Sequence, residues 1–174
     1  MTEFVPLRPL TALWIRPTTA ADLPAIAALY NQELRAHDRI FRSTEKPVAE
    51  FEQELIRKAA TGHPHLVAEA ADGFLGFATY GLFRDNDGYR YTMEHTILLP
   101  EAAQGRGVGR QLMQALEDHA RAQRVETMVA AISGSNAAAQ AFHARLGYVE
   151  TGRMPGTGWK NGVWLDLVLM QKRL

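Results

Sequence analysis

The sequence predicts an α+β protein built on a mixed, mostly antiparallel central sheet flanked by helices, and three observations carry that expectation. Two amphipathic helical segments open the chain, and three extended segments joined by turn signals follow. The remainder then runs helix, strand, helix and closes on two strands. Hairpin-linked strands pair antiparallel, whereas a strand-helix-strand passage allows a parallel crossover, so the sheet is mixed. At 174 residues the chain buries one core and has little room for a second full domain. We expect an extension over residues 1–13, which carries Glu3, Pro6, Arg8 and Pro9, and one domain over residues 14–174.

Each element has a local cause. Thr19 with Asp22 three residues on forms a capping-box pattern, and Leu23, Ile26, Ala27, Tyr30 and Leu34 recur at helical spacing, which predicts a helix from Ala20 to Leu34. Pro47 suits a first helical turn; Val48, Phe51, Leu55 and Ile56 then share one side until Gly62 stops a second helix. His65 to Ala70 and Phe74 to Phe83 read as strands joined across Asp72-Gly73, a dipeptide favoured in tight hairpins. Tyr89 to Leu99 is a third strand, reached through the turn Asp85-Asn86-Asp87-Gly88 and ended by Pro100. Val108, Leu112, Met113, Leu116 and Ala120 make the face of a third helix. Thr127 to Ile132 is a short apolar strand, Asn136 to Leu146 a helix closed by Gly147, and Tyr148 to Arg153 and Val163 to Lys172 are the last strands.

Composition narrows the function. The chain is 47% hydrophobic and 22% charged, which is ordinary for a globular protein. Nineteen Lys and Arg balance nineteen Asp and Glu, so there is no basic field to drive nucleic-acid binding. With no Cys there is neither a disulfide nor a cysteine nucleophile, and the six His lack metal-ligand spacing, so no metal is expected. The start of the chain lacks the apolar stretch of a signal peptide, and no stretch is apolar enough to cross a bilayer. We expect a cytoplasmic protein without membrane partners.

Gln104-Gly105-Arg106-Gly107-Val108-Gly109 lies between a strand and an amphipathic helix, where backbone N–H groups and the positive helix end converge on an anion. Glycine lets the backbone approach phosphate oxygens and adopt left-handed dihedrals. A P-loop is excluded because Arg110 and Gln111 follow Gly109, and the dinucleotide fingerprint fails at Arg110. The same residues also suit a glycine-rich turn that only starts a helix.

The loop resembles the acetyl-CoA loop of the GNAT N-acetyltransferase superfamily, Gln/Arg-x-x-Gly-x-Gly/Ala, through Gln104, Gly107 and Gly109. Asn136 and the run from Ala141 to Tyr148 resemble a second block of that superfamily, an Asn, a helix and a Leu-Gly-Phe/Tyr ending. The similarity runs from about Trp14 to Leu174. Gly76-Phe77-Ala78, Tyr91-Thr92-Met93-Glu94-His95 and Trp164-Leu165-Asp166-Leu167 look like the branch that acetylates phosphinothricin, methionine sulfoximine and related amino acids.

That resemblance implies a three-layer fold whose sheet is splayed between the fourth and fifth strands, with acetyl-CoA wedged where the strand ending at Leu99 parts from the one ending at Ile132. It implies a pyrophosphate on Gln104, Gly105, Arg106, Gly107, Val108 and Gly109, and a pantetheine arm held by Ile97, Leu98, Leu99 and Asn136. Asn136 also reads independently as a helix N-cap. A homodimer is implied as well, and Trp159 and Trp164 would close the sheet or a dimer contact.

Amide formation from a thioester needs a neutral amine, and an α-amino group is mostly protonated at neutral pH. Glu94 alternates onto one face with Thr92, Thr96 and Leu98 in an apolar strand. It is there either as a partly desolvated general base or as a solvated strand residue, and the resemblance favours the base. His143 stands where many superfamily members have the Tyr that protonates the departing thiolate; it serves as that donor or as a packing residue. His95 alternates to the opposite face from Glu94 and reads as structural. Arg84 suits a substrate α-carboxylate or stands as an exposed charge at a strand end; Phe83-Arg84 resembles the segment that lines the acceptor pocket in that branch, and Phe83 and Tyr91 wall the pocket or belong to the core. Transfer to a small amino-acid-like amine is the first reading. A peptide or protein N-acetyltransferase and a non-catalytic acetyl-CoA-binding module are the alternatives.

Overall fold

The computed structural model describes residues 12–71 and 73–174. Residues 1–11 of the expected extension, and Asp72 of the expected hairpin turn, lie outside the described residues. The elements in chain order are β1 Leu13–Pro17, α1 Leu23–Ala36, α2 Val48–Thr61, β2 His65–Ala70, β3 Gly73–Leu82, β4 Thr92–Leu98, α3 Val108–Ala122, β5 Thr127–Ser133, α4 Ala137–Arg145, β6 Val149–Lys160 and β7 Val163–Arg173. The strands form one sheet in the order β1-β2-β3-β4-β5-β7-β6. The pair β4–β5 is parallel and the other neighbours are antiparallel.

Alternation along the strands sorts the core into two layers. On one face Leu23, Ile26 and Leu29 of α1 and Phe51 of α2 pack on Val67, Phe77 and Leu98. On the other, Val108, Leu112, Met113, Leu116 and Ala120 of α3 pack on Ala68, Ala78, Tyr80, Met93 and Met128, with Phe142 and Leu146 of α4 alongside. The helical spacing read from α3 is thus its buried stripe. In α2 the same reading overreaches: Val48 and Ile56 are exposed, and only Phe51 is fully buried.

Three boundaries differ from the sequence reading. The first regular element is a strand and not a helix, because Leu13 belongs to β1, which pairs with β2 from Leu13–Ala70 to Pro17–Leu66. A five-residue edge strand closed by Pro is too short to show a period. Arg16 on β1 grips Asp22 through two 2.8 Å bonds and Glu69 through a third, while Asp22 accepts the Thr19 N–H at 2.7 Å, so the capping box and the edge strand share one carboxylate. That Arg16 pairing holds the Asp22 carboxyl down at about 2. β4 begins at Thr92, because residues 87–89 turn as a 3-10 helix. β6 runs past Arg153 to Lys160 through register shifts at Glu150–Gly152 and Met154–Gly158, so Pro155 and Gly156 mark a bulge and not a loop.

The β6 extension has a partner. Lys160 is buried, and its Nζ donates to the carbonyls of Leu34 at 2.7 Å and His37 at 2.5 Å, with Asp38 Oδ1 3.7 Å away. It thereby caps the C-terminal carbonyls of α1, which no intrahelical N–H can reach. Gly158 lies under the Phe41 ring, and a Cβ there would collide with it. Together these contacts hold the α1–α2 connection against β6. We predict that Lys160→Met, which keeps the aliphatic stem and strands the carbonyls, costs about 2 kcal/mol and lowers Tm by roughly 4 to 8 °C in calorimetry.

Candidate active site

The sheet opens between β4 and β5. Their parallel pairing runs from Thr92–Thr127 to His95–Ala130 and ends there. β4 continues to Leu98 paired only with β3, through Thr96–Thr79, Ile97–Ala78 and Leu98–Phe77, while β5 continues to Ser133 paired with β7. The inner edge of β4 at Thr96 to Leu98 therefore presents backbone N–H and C=O groups to the gap, a template for hydrogen bonding to an extended ligand. Asn136 stands beyond the end of β5; its Oδ1 accepts from Ala139 N at 3.1 Å as the N-cap of α4, and its amide nitrogen is not needed for that role.

The glycine loop lies past the end of β4. Gly105 and Gly107 have φ of +71° and +81°, the left-handed region, and Gly107 is the N-cap of α3. A Cβ built on Gly107 meets no atom within 4 Å, so the space above it is open. The first return bond of α3 is Gln111 N–H to Gly107 O, which leaves the N–H groups of Val108, Gly109 and Arg110 pointing outward. Gly109 is needed for close packing instead. A Cβ there would lie 3.0 Å from Leu99 and 3.2 Å from the Phe142 ring, so glycine lets α3 close on β4 and α4. Gln104 reaches back to the Leu99 carbonyl at 3.4 Å, and Arg106 to the Ala102 carbonyl at 3.3 Å. From Gln104 to Gly109 the loop thus offers backbone N–H groups that could receive a pyrophosphate; beginning one residue on, at Arg110, a groove of about 330 Å³ lies between α3 and α4, lined by Arg110, Arg145, Glu117 and Lys172, the last paired with Glu117.

Glu94 sits just before the point of opening, opposite Gly81 of β3 and Val129 of β5, on the face that α1 and α2 cover. It is half-buried, and burial raises its carboxyl above the usual value while the Arg84 guanidinium opposes the rise. The bond from Phe83 N–H to Thr92 O places Phe83 on the same face, and Arg84 lies over the Phe83 ring at 4.7 Å. Phe83, Arg84 and Glu94 are therefore brought together. Tyr91, expected in the same pocket, is not. It precedes β4, alternates to the opposite face from Glu94, and carries Arg90 over its ring at 4.8 Å.

His143 is buried, with Nδ1 2.7 Å from the Ala139 carbonyl and Nε2 2.9 Å from His95 Nε2. A carbonyl only accepts, so His143 carries its proton on Nδ1 and its Nε2 accepts from His95. Burial pushes His95 down to about 3 and lowers His143 as well, so the pair is neutral at pH 7. Sequence reasoning saw both histidines without seeing that they meet, since 48 residues separate them. It also missed Phe41, Lys46, Lys58 and Lys160, which reach the Glu94 side from the α1–α2 connection, α2 and β6; single charges beside loops and helix ends carry no periodic signal. Among the described residues no group of three or more His, Cys, Asp or Glu is placed to hold a metal ion, and no helix is long and apolar enough to cross a membrane.

A pyrophosphate cradle, a strand edge open to an extended arm and a desolvated carboxylate beside the opening are the parts of a coenzyme A-dependent acyltransferase. The chain belongs to the acetyltransferase (GNAT) family, whose model matches residues 24–148. It is 43% identical to an L-methionine sulfoximine/L-methionine sulfone acetyltransferase of Pseudomonas paraeruginosa over 92% of this chain and 94% of that one. Among solved structures it is similar to a ribosomal-protein-alanine N-acetyltransferase from Brucella melitensis, with TM-score 0.89 and 38% identity over 92% of this chain and 99% of that one. It is also similar to a phosphinothricin acetyltransferase from Sinorhizobium meliloti in complex with acetyl-CoA, with TM-score 0.87 and 31% identity over 93% of this chain and 88% of that one. The protein is an acetyl-CoA-dependent N-acetyltransferase with the splayed mixed sheet of that family.

Gly107 supplies the first test of the cradle. Gly107→Ala adds a methyl group to open space at a positive φ, so we predict a folded protein that loses about 1 kcal/mol of stability. The same methyl intrudes where phosphate oxygens approach, and acetyl-CoA affinity falls tenfold or more in calorimetric titration.

Proposed function

We propose that the protein acetylates the α-amino group of a small amino acid of the methionine sulfoximine and phosphinothricin type, by direct transfer within a ternary complex. The observation that carries this is the grouping of Glu94, Arg84 and Phe83 on one face beside the β4–β5 opening. The names of the relatives support it. In this reading acetyl-CoA lies with its pyrophosphate on Gln104 to Gly109, its pantetheine along Ile97, Leu98 and Leu99 with Asn136 opposite, and its nucleotide end toward Arg110. Arg84 forks the acceptor carboxylate and Phe83 packs on its carbons.

Glu94 takes one proton from the ammonium group, directly or through a water. The freed lone pair attacks the thioester carbonyl carbon, the C–N bond forms and the C–S bond breaks. The nitrogen gives up a second proton as the amide forms, which balances the proton the thiolate gains. A donor to the thiolate needs an N–H free to turn toward sulfur. His143 commits its Nδ1–H to Ala139, and we read it as holding α4 to β4 and not as that donor. We also read the protein as a homodimer pairing through the β6–β7 hairpin, where Trp159 and Trp164 stack edge to face at 5.0 Å and are 52% and 64% exposed. The Brucella relative favours a second reading, a protein N-terminal acceptor.

Thiol release from acetyl-CoA with methionine sulfone, phosphinothricin, simple amines and Ala-terminated peptides separates the readings, and we expect turnover with the free amino acids alone. Because burial raises Glu94, its base form accumulates as pH climbs through an inflection above the ordinary carboxylate range, and kcat/KM rises with it. Glu94→Gln is expected to lose roughly 10²-fold and that inflection together. Arg84→Ala is expected to raise KM about tenfold for α-amino acids and to leave amines without a carboxylate unchanged, as initial rates would show.

A further inference from the structure

A second cavity, of about 150 Å³, lies on the Glu94 face between the sheet and the first two helices. Thr79 and Thr96 form its floor; they are a cross-strand pair, and the next pair on that face is Gly81 and Glu94, about 7 Å along the strands. Tyr30, Phe51 and Phe77 give it aromatic walls, and Lys46 and Glu54 its polar wall. Lys46 is held there from both ends. Asn31 accepts the Lys46 N–H at 2.8 Å and donates to its carbonyl at 2.9 Å, which fixes the backbone whatever the side chain. The ammonium pairs with Glu54 and lies 4.1 Å from the Phe51 ring centroid and 5.6 Å from that of Tyr30. Its side chain is 16% exposed. An ammonium has three donors, and Glu54 takes one of them.

The charges around the cavity do not cancel. Glu54 is flanked by Lys58 one turn on, whose Nζ donates to the Tyr80 carbonyl at 2.6 Å and lies 2.9 Å from where a Gly81 Cβ would stand. Glu50, on the first turn of α2, is paired with Arg42 at 2.9 Å, Tyr30 keeps its proton because burial raises it, and burial drives His65 down to about 4, so it is neutral at pH 7. With Glu50 offset by Arg42, two ammonium groups are left with Glu54 as the carboxylate beside them. A cationic side chain entering here would meet Lys46 and Lys58, whereas an anion would find unused donors in a site already stripped of much of its water.

We propose that this cavity is the subsite for the acceptor side chain, and that Lys46 selects amino acids whose side chain ends in an anion such as a phosphinate or a carboxylate. The proposal rests on the amino-acid reading above and deepens it. Arg84 and Lys46 then hold the two anionic ends of one acceptor, with the amine at Glu94 between them. Glu54 competes with the acceptor for Lys46 and lowers affinity for it.

Initial rates with phosphinothricin, which carries a phosphinate, and methionine sulfone, which is neutral there, give the ratio of the two kcat/KM values for each variant. Lys46→Met is expected to reduce that ratio about tenfold, through the KM for phosphinothricin, and Lys46→Arg to keep most of it. Glu54→Gln, which releases Lys46, is expected to raise it severalfold. A purely structural ion pair would move Lys46→Met and Glu54→Gln the same way, so shifts of like sign, or no shift in Lys46→Met, overturn the subsite. Lys46→Arg and Glu54→Gln make the same comparison if Lys46→Met fails to fold. If the wild-type protein acetylates neither amino acid but does acetylate peptides, the amino-acid reading itself falls and the subsite with it.

Discussion

β4 and β5 are joined by parallel pairing only as far as His95 and Ala130, and each strand then runs on with a partner on one side alone. Sheets do not normally leave backbone groups unpaired in their middle, since a buried N–H or C=O without a partner costs free energy. Here the gap is tolerated because both flanks are independently secured, β4 by β3 and β5 by β7. The loop after β4 and the Asn136 cap after β5 end the two arms, and the missing rungs of the ladder leave backbone groups that can pair with an extended ligand between them. The His95–His143 bond lies at the point of opening and ties the last paired residue of β4 to α4. Burial lowers both rings, His95 to about 3, which favours the neutral form of the pair.

The opening also explains the setting of Glu94. One residue before the last paired position, its side chain is directed to the α1–α2 face, close to the gap yet flanked by ladder on both sides. Desolvation there makes a carboxylate a better proton acceptor, but it also raises the fraction held protonated. Arg84 acts against that outcome, and the balance of the two keeps the group useful as a base. If Arg84 anchors the acceptor carboxylate as proposed, substrate binding is coupled to the state of Glu94, since a bound carboxylate offsets the guanidinium that opposes the rise.

The parts legible in the sequence are those that rest on backbone conformation and on periodic burial. Gly105 and Gly107 are glycines because the chain there turns left-handed, and α3 shows its buried stripe in its spacing. Elements that are short or irregular were not legible. β1 has five residues and a proline, and β6 passes through Gly and Pro at bulges that resemble a loop. Tyr91 was misplaced because a strand boundary wrong by three residues obscures which face its last residues serve. His143 could be matched to a family pattern, but its tautomer depends on Ala139 and His95, which only the folded chain brings to its two nitrogens.

A physical asymmetry underlies this difference. The cofactor side is read by backbone groups and glycines, which leave a pattern in consecutive residues because one loop supplies nearly all of it. The acceptor side is read by side chains gathered from distant segments: Lys160 reaches Leu34 across 126 positions, Phe41 covers Gly158, and Asn31 holds Lys46. In the proposed reading the scaffold fixes where the acetyl group is delivered, while the α1–α2 connection, held by β6 at one end and by Asn31 at the other, shapes the place of the acceptor. That division suits a fold whose relatives are named for different amines, and in the proposed reading it confines the specificity of this chain to a handful of residues around Lys46, Arg84 and Glu94.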